Sequence, residues 1–147
     1  MVGSGFQPLR AEQLPAALEL LTDAALPTDD VDETLVEGFI GWSDEEGKLT
    51  AMGGLERYGE HALLRSVVVA PAARGGGLAQ ALVTKLEADA RARGIRRLFL
   101  LTESAEGFFL KLGFGTCPRG EAPVSIQRSP QFADLCPDSA AFLCKEI

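Results

Sequence analysis

The run Arg74-Gly75-Gly76-Gly77-Leu78-Ala79 carries the clearest chemistry in this chain. Three consecutive glycines let neighbouring backbone N–H groups crowd together and point one way, and a helix that starts behind them adds unpaired N–H groups and a positive dipole end. Those are the parts from which a phosphate or pyrophosphate cradle is built. Glycines alone would fit a flexible connection equally well, so the flanks decide. Before the loop runs the apolar stretch Leu63-Leu64-Arg65-Ser66-Val67-Val68-Val69, and after it Leu78, Leu82 and Leu86 recur at helical spacing. The unit reads strand, turn, helix. It is neither the dinucleotide fingerprint Gly-x-Gly-x-x-Gly nor a P-loop, which would need Gly-x4-Gly-Lys-Ser/Thr.

Arg65 is the second residue with chemical meaning. A guanidinium inside an apolar strand is costly to bury unpaired, so it must face a cleft and a substrate anion there or meet a protein carboxylate such as Glu56. The three cysteines, Cys117, Cys136 and Cys144, are odd in number and lack Cys-x-x-Cys spacing. A disulfide framework and a sequence-local zinc site are both disfavoured, and each cysteine reads as a small buried hydrophobe.

The elements that must position these residues follow from periodicity. Residues 6–10 suit a short strand, and residues 12–25 carry Leu14, Leu18, Leu21 and Ala25 on one helical face, with Pro15 in the first turn. Residues 31–39 suggest a shorter helix over the acceptor side. Three strands at 40–43, 49–57 and 62–69 are joined by Gly-containing turns into an antiparallel meander. The helix after the glycine loop runs to Gly94, a natural C′ residue. Residues 95–101 form a short apolar strand, central and parallel to 62–69. A helix at 105–112 stops at Gly113, a strand lies near 114–117, an irregular stretch holds Pro118, Pro123, Pro130 and Pro137, and 140–145 form a last strand. Two parallel strands diverging at their C-terminal ends, each followed by a helix, make a cleft.

With 147 residues the chain is expected to form one domain, residues 1–147. A net charge of −7 works against nucleic acid as a partner. The sequence has no apolar run of bilayer length and no basic n-region followed by an apolar h-region at its amino terminus, which points to a cytoplasmic protein without a membrane partner.

Arg74, Gly77 and Ala79 fit Arg/Gln-x-x-Gly-x-Gly/Ala just after Val69-Ala70-Pro71, and Phe108-Phe109-Leu110-Lys111-Leu112-Gly113-Phe114 follows. Together they closely resemble the GNAT superfamily of N-acetyltransferases. The resemblance implies an α/β fold with a mixed central sheet of six or seven strands, a V-shaped split between two parallel strands and four flanking helices. It implies acetyl-CoA as co-substrate, no metal, and a small-molecule amine as acceptor, in a monomer or homodimer. Carried over residue by residue, Arg74, Gly75, Gly76, Gly77, Leu78 and Ala79 hold the pyrophosphate. The backbone of Val67 and Val69 pairs with the pantetheine amides as an added strand would, at a bulge in the superfamily. An N–H at Val67 or Val68 stabilises the thioester oxygen, and Thr102, Phe108 and Phe109 line the cofactor.

The chain departs from the family pattern where proton transfer is concerned. The usual general acid is a tyrosine in Phe-Tyr-x-Lys-Leu-Gly-Phe, and Phe109 stands there. The upstream asparagine is Thr102, and the glutamate used by relatives that acetylate phosphinothricin is Leu64. Replacement bases are Glu56 first, beside the active-site strand, then Glu103 at the end of the parallel strands; His61 and Glu60 read as exposed turn residues. Arg65, Ser66 and Tyr58 are the substrate-side candidates. Residues 62–71 and Gln131-Phe132-Ala133-x-Leu135-Cys136-Pro137-x-Ser139-Ala140 look like the small acetyltransferases of arsenic-resistance operons. That narrower resemblance implies an amino-acid-like organoarsenical or phosphinothricin as acceptor. The alternative class is a non-catalytic module that binds acetyl-CoA or an arsenical and regulates something else.

Overall fold

Two long strands, each with a run of consecutive buried residues, build the centre of the sheet. In the computed structural model, which describes residues 5–26, 28–130, 132–133 and 140–147, β1 is Gln7–Pro8, β2 Phe39–Ser43, β3 Leu49–Tyr58 and β4 His61–Val69. These four pair antiparallel in sequence order. Asp44 fixes the β2–β3 turn by accepting from the N–H groups of Glu46 and Lys48, both at 2.9 Å. The β3–β4 turn needs only Gly59 and Glu60 between Tyr58 and its partner His61.

The other half of the sheet is β5, Arg97–Thr102, β6, Gly115–Thr116, and β7, Ala141–Glu146. The full order is β1-β2-β3-β4-β5-β7-β6, a seven-stranded mixed sheet in which β4 and β5 are the parallel pair. Among the described residues five helices flank it: α1, Leu14–Asp23; α2, Glu33–Val36; α3, Leu78–Ala92; α4, Glu106–Lys111; and α5, Val124–Gln127.

Each face of the sheet has its own core. Leu82, Val83, Leu86 and Ala90 of α3 and Phe109 of α4 pack on Leu64, Leu98 and Leu100. The opposite face of β3 and β4 takes Ala17, Leu20 and Leu21 of α1 with Val36, Phe39 and Met52. Beyond them on that face, Ala122 and Ile126 cover Leu63, Phe99 and Phe142. Helix α3 ends as its sequence requires: Gly94 takes φ +81 and the Ile95 N–H reaches back to the Ala90 carbonyl at 3.0 Å.

Three expectations change. The helix expected over 31–39 is only Glu33–Val36, because Asp32 caps it by accepting from the Leu35 N–H and Phe39 is drawn into β2 opposite Gly54. A Cβ on Gly54 would lie 1.9 Å from the Phe39 ring, so only glycine admits that ring. The strand expected over 6–10 pairs through Gln7 and Pro8 alone. The irregular proline-rich stretch contains α5, whose Ile126 is fully buried.

Candidate active site

Strands β4 and β5 pair at His61–Arg97, Ala62–Leu98 and Leu63–Phe99 and then separate. From Leu64 onward β4 has no strand neighbour on that side among the described residues. A cleft of about 530 Å³ fills the gap, lined by Leu64–Val69, Leu100–Ala105, Phe108, Phe109, Ala24–Leu26, Arg74 and Ala79.

A β-bulge sits at the parting. Gly54 pairs with Arg65 and Met52 with Val68, so Ser66 and Val67 together oppose Gly53. Ser66 adopts φ +57 to make this possible. The bulge resets the alternation: Leu64 and Val67 both face the α3 core, while Val68 joins the α1 core.

At the end of β4 a short 3-10 turn, Pro71–Ala73, leads into the glycine loop. Arg74 folds back, its Nε donating to the Val69 carbonyl at 2.9 Å. Gly75 and Gly77 have φ of +91 and +79, and nothing lies within 4 Å of where a Cβ on Gly75, Gly76 or Gly77 would be. Gly77 is the N-cap of α3 and offers no capping side chain. The first bond of the helix, Ala81 N–H to Gly77 carbonyl at 3.0 Å, leaves the N–H groups of Leu78, Ala79 and Gln80 without intrahelical acceptors. Exposed glycines, a dipole end and orphan donors therefore meet at the mouth of the cleft, an arrangement that fits a phosphate-bearing ligand.

Arg65 takes the second of the two courses open to it and meets protein carboxylates, Glu56 among them. The residue is 2% exposed and its side chain has no exposed surface, so it borders the cleft only through its backbone. Nη1 and Nη2 bind the two Asp30 oxygens at 2.5 and 2.8 Å, Nη1 also binds Glu56 Oε1 at 2.6 Å, and Nε donates to Ser66 Oγ at 3.1 Å. Tyr58 completes the chain by donating to Glu56 Oε2 at 2.9 Å. Burial works against the Arg65 charge, but the bonds to Asp30 and Glu56 outweigh it and raise its pKa above the ordinary value. The Tyr58 phenol is pushed up to about 12, first by burial and then by its bond to the Glu56 carboxylate.

This network corrects the roles assigned from sequence. Arg65 has four of its five donors engaged and no exposed side-chain surface to offer a substrate anion, and neither Glu56 nor Tyr58 lines the cleft. Glu103 does, and among the described residues it is the only carboxylate in the lining. Thr102 lines the cleft while its Oγ1 accepts from the Ala105 N–H at 3.0 Å, shaping the entry to α4. Phe109 is 6% exposed and wedged edge-on between Phe108 and Phe114. His61 stands at the closed end of the sheet, its ring against Phe99.

Asp30, the second carboxylate on Arg65, carries no signal of its own in the sequence. The available signal was Arg65: a buried guanidinium with five donors needs more than one carboxylate. Cys117 is buried, its thiol pushed up to about 11 by burial first and then by the neighbouring Cys144 thiol. Cys136 lies outside the described residues. Among the described residues no group of three or more His, Cys, Asp or Glu could hold a metal, and no helix is long and apolar enough to cross a membrane.

The family model of the acetyltransferase (GNAT) family matches residues 7–114. An amino-acid acetyltransferase of Ralstonia nicotianae is 48% identical over 59 residues, 40% of this chain and 12% of the relative. Mouse N-alpha-acetyltransferase 80 is 49% identical over 52 residues, 35% of this chain and 17% of the relative. The chain thus spans less than a fifth of either curated relative. N-acetylglutamate synthase from Neisseria gonorrhoeae, solved with coenzyme A and N-acetylglutamate, superposes with a TM-score of 0.84 at 19% identity over 97% of this chain and 34% of its own. A Mycobacterium tuberculosis protein solved with CoA superposes with a TM-score of 0.81 at 22% identity, over 97% of this chain and 99% of its own.

Proposed function

The chain belongs to the acetyltransferase (GNAT) family, and we propose that it is an acetyl-CoA-dependent N-acetyltransferase that acylates the amine of a small acceptor directly, in a ternary complex. One observation carries this reading: the unpaired edge of β4, its bulge and the uncapped start of α3 follow one another along a single cleft. We read residues 1–147 as one domain, acting in the cytoplasm as a monomer or homodimer.

Acetyl-CoA supplies the activated acyl group; the chain supplies position and charge. The N–H groups from Gly75 to Ala79 hold the pyrophosphate, with Arg74 beside them. Val67 and Val69 offer backbone groups to the pantetheine amides, as a sheet edge does to an added strand. The N–H at Val67, in the bulge and on the edge of β4 away from β3, donates to the acyl oxygen as negative charge grows there. Glu103 accepts the amine proton, being the cleft carboxylate among the described residues. Phe109 offers no proton to the departing thiolate. A thiol of ordinary pKa, about 8.5, can leave without one.

The acceptor is an amine, and the name of the Ralstonia nicotianae relative supports the α-amine of an amino acid. An amino-acid-like organoarsenical or phosphinothricin is the finer reading. It rests on the motifs at 62–71 and 131–140, and Arg65 no longer adds to it. The alternative, a binding module without turnover, is favoured by one observation only, the phenylalanine at 109. Free thiol released from acetyl-CoA in the presence of amino acids, phosphinothricin and polyamines tests both. Amine-dependent release supports the transferase, CoA binding without release supports the module, and absence of CoA binding overturns the transferase and leaves only a module that binds an arsenical.

A further inference from the structure

We propose that Arg65 is a positioning residue: its Nε holds Ser66 in the left-handed turn of the bulge, and this fixes where the Val67 and Val68 N–H groups point. The inference rests on the acetyl-transfer reading above. Serine at φ +57 is strained, because L residues other than glycine rarely settle there without local support. That support comes from Arg65, whose Nε donates to the Ser66 hydroxyl oxygen at 3.1 Å.

What makes that bond a brace is the rigidity of its donor. Asp30 grips the far end of the guanidinium with two bonds, Glu56 holds Nη1, and Tyr58 holds Glu56 in turn. A planar fork fixed at both terminal nitrogens leaves Nε one direction, toward Ser66. The Phe39 ring lies 5.9 Å from the guanidinium carbon, in the space that Gly54 leaves open. The brace also reaches the acceptor wall: Asp30 follows Ala24–Leu26, which line the cleft, so one side chain ties the α1–α2 connection to the bulge.

If Ser66 relaxed into an ordinary extended conformation, the strand would regain regular alternation and everything beyond it would change face. Val67 and Val68 would exchange sides, and the N–H aimed at the acyl oxygen would turn away. Lysine at 65 keeps the charge for Asp30 and Glu56 but has no donor at the Nε position. Glycine at 66 adopts φ +57 without help.

The test is a double-mutant cycle of Arg65→Lys and Ser66→Gly. In the Ser66 background, Arg65→Lys should lower kcat about tenfold through misplacement of the donor, with the acceptor KM within about twofold. In the Ser66→Gly background the same change should lower kcat by less than about threefold, because glycine needs no brace. Equal losses in the two backgrounds overturn the proposal, as does a loss that tracks melting temperature alone. A wild-type protein that releases no thiol refutes the transferase reading instead. The brace is then read from amide hydrogen exchange at Val67 and Val68: faster in Arg65→Lys and restored in the double variant supports it, and unchanged exchange in Arg65→Lys overturns it.

Discussion

Replacing Gly77 by valine tests the phosphate cradle, and Gly94 supplies a matched control. The two glycines have nearly the same backbone conformation, φ +79 and +81, and the same empty space where a side chain would go. One begins α3 and the other follows its end. A Cβ in the left-handed region costs about 1–2 kcal/mol, and a β-branched residue sits there worse still. Each variant should therefore lose at least that much stability, a fall in Tm of about 2–4 °C per kcal/mol for a chain of this size, and still fold. The consequences for CoA should differ. To relieve the strain of a valine in place of Gly77, the loop must rotate the N–H groups of Leu78 and Ala79 off their shared focus, and each charge-assisted bond lost costs about 1.5–3 kcal/mol. Calorimetric Kd for CoA should rise about tenfold to a hundredfold per bond in Gly77→Val and stay within about twofold in Gly94→Val. Unchanged CoA affinity in a folded Gly77→Val protein, or equal weakening in both variants, would refute the assignment of the pyrophosphate to this loop.

Other outcomes follow from the same geometry. Glu103→Gln should slow amine-dependent thiol release about a hundredfold at neutral pH and leave the Kd for CoA nearly unchanged; a loss of less than about threefold would remove Glu103 as the base. Phe109→Tyr adds a hydroxyl to a ring already enclosed by Phe108 and Phe114, so turnover should change little and stability should fall by about 1–3 kcal/mol; a gain of orders of magnitude in rate would favour the module reading. Tyr58 is the only tyrosine, so tyrosinate absorbance reports it alone. Its pKa of about 12 in the fold lies above the ordinary 10.0, so the unfolded chain deprotonates first. Stability should hold below pH 10 and decline as pH rises toward 12; Glu56→Gln should lower the absorbance midpoint, and a midpoint that stays put would contradict the hydrogen bond.

The parts of this fold that could be read from sequence are those whose pattern is local. The meander, the glycine loop and the α3 stripe of Leu78, Leu82 and Leu86 each declare themselves within a few residues. Helix α5 does not, because four residues between Pro123 and Pro130 carry no period; Ile126 takes its place by covering Leu63 and Phe99 from far along the chain. The candidate site divides in the same way. Arg74 to Ala79 were visible as a motif, whereas the face on which Val68 lies depends on the bulge, which breaks the two-residue alternation that a sequence reader must assume. Glu56 looked best placed because it neighbours the active-site strand. The pairing that removes it from the cleft lining is with Arg65, whose other carboxylate, Asp30, lies 35 residues away in sequence.

The parting of β4 from β5 also has a mechanical side. Three residue pairs join the two halves of the sheet, all at one end. Leu64 to Val69 extend past them as an arm of about 20 Å at the usual rise per residue, so a rotation of about 5° at the joined end moves the far end by roughly 2 Å. No ladder bond between β4 and β5 has to break for that to happen. The resting angle of the wedge is set by the side chains packed behind it, Leu82 and Leu86 of α3 against Phe109 of α4 and the sheet. Any widening of the mouth along this hinge would therefore deform the hydrophobic core behind it, and the volume of those core side chains would govern its stiffness.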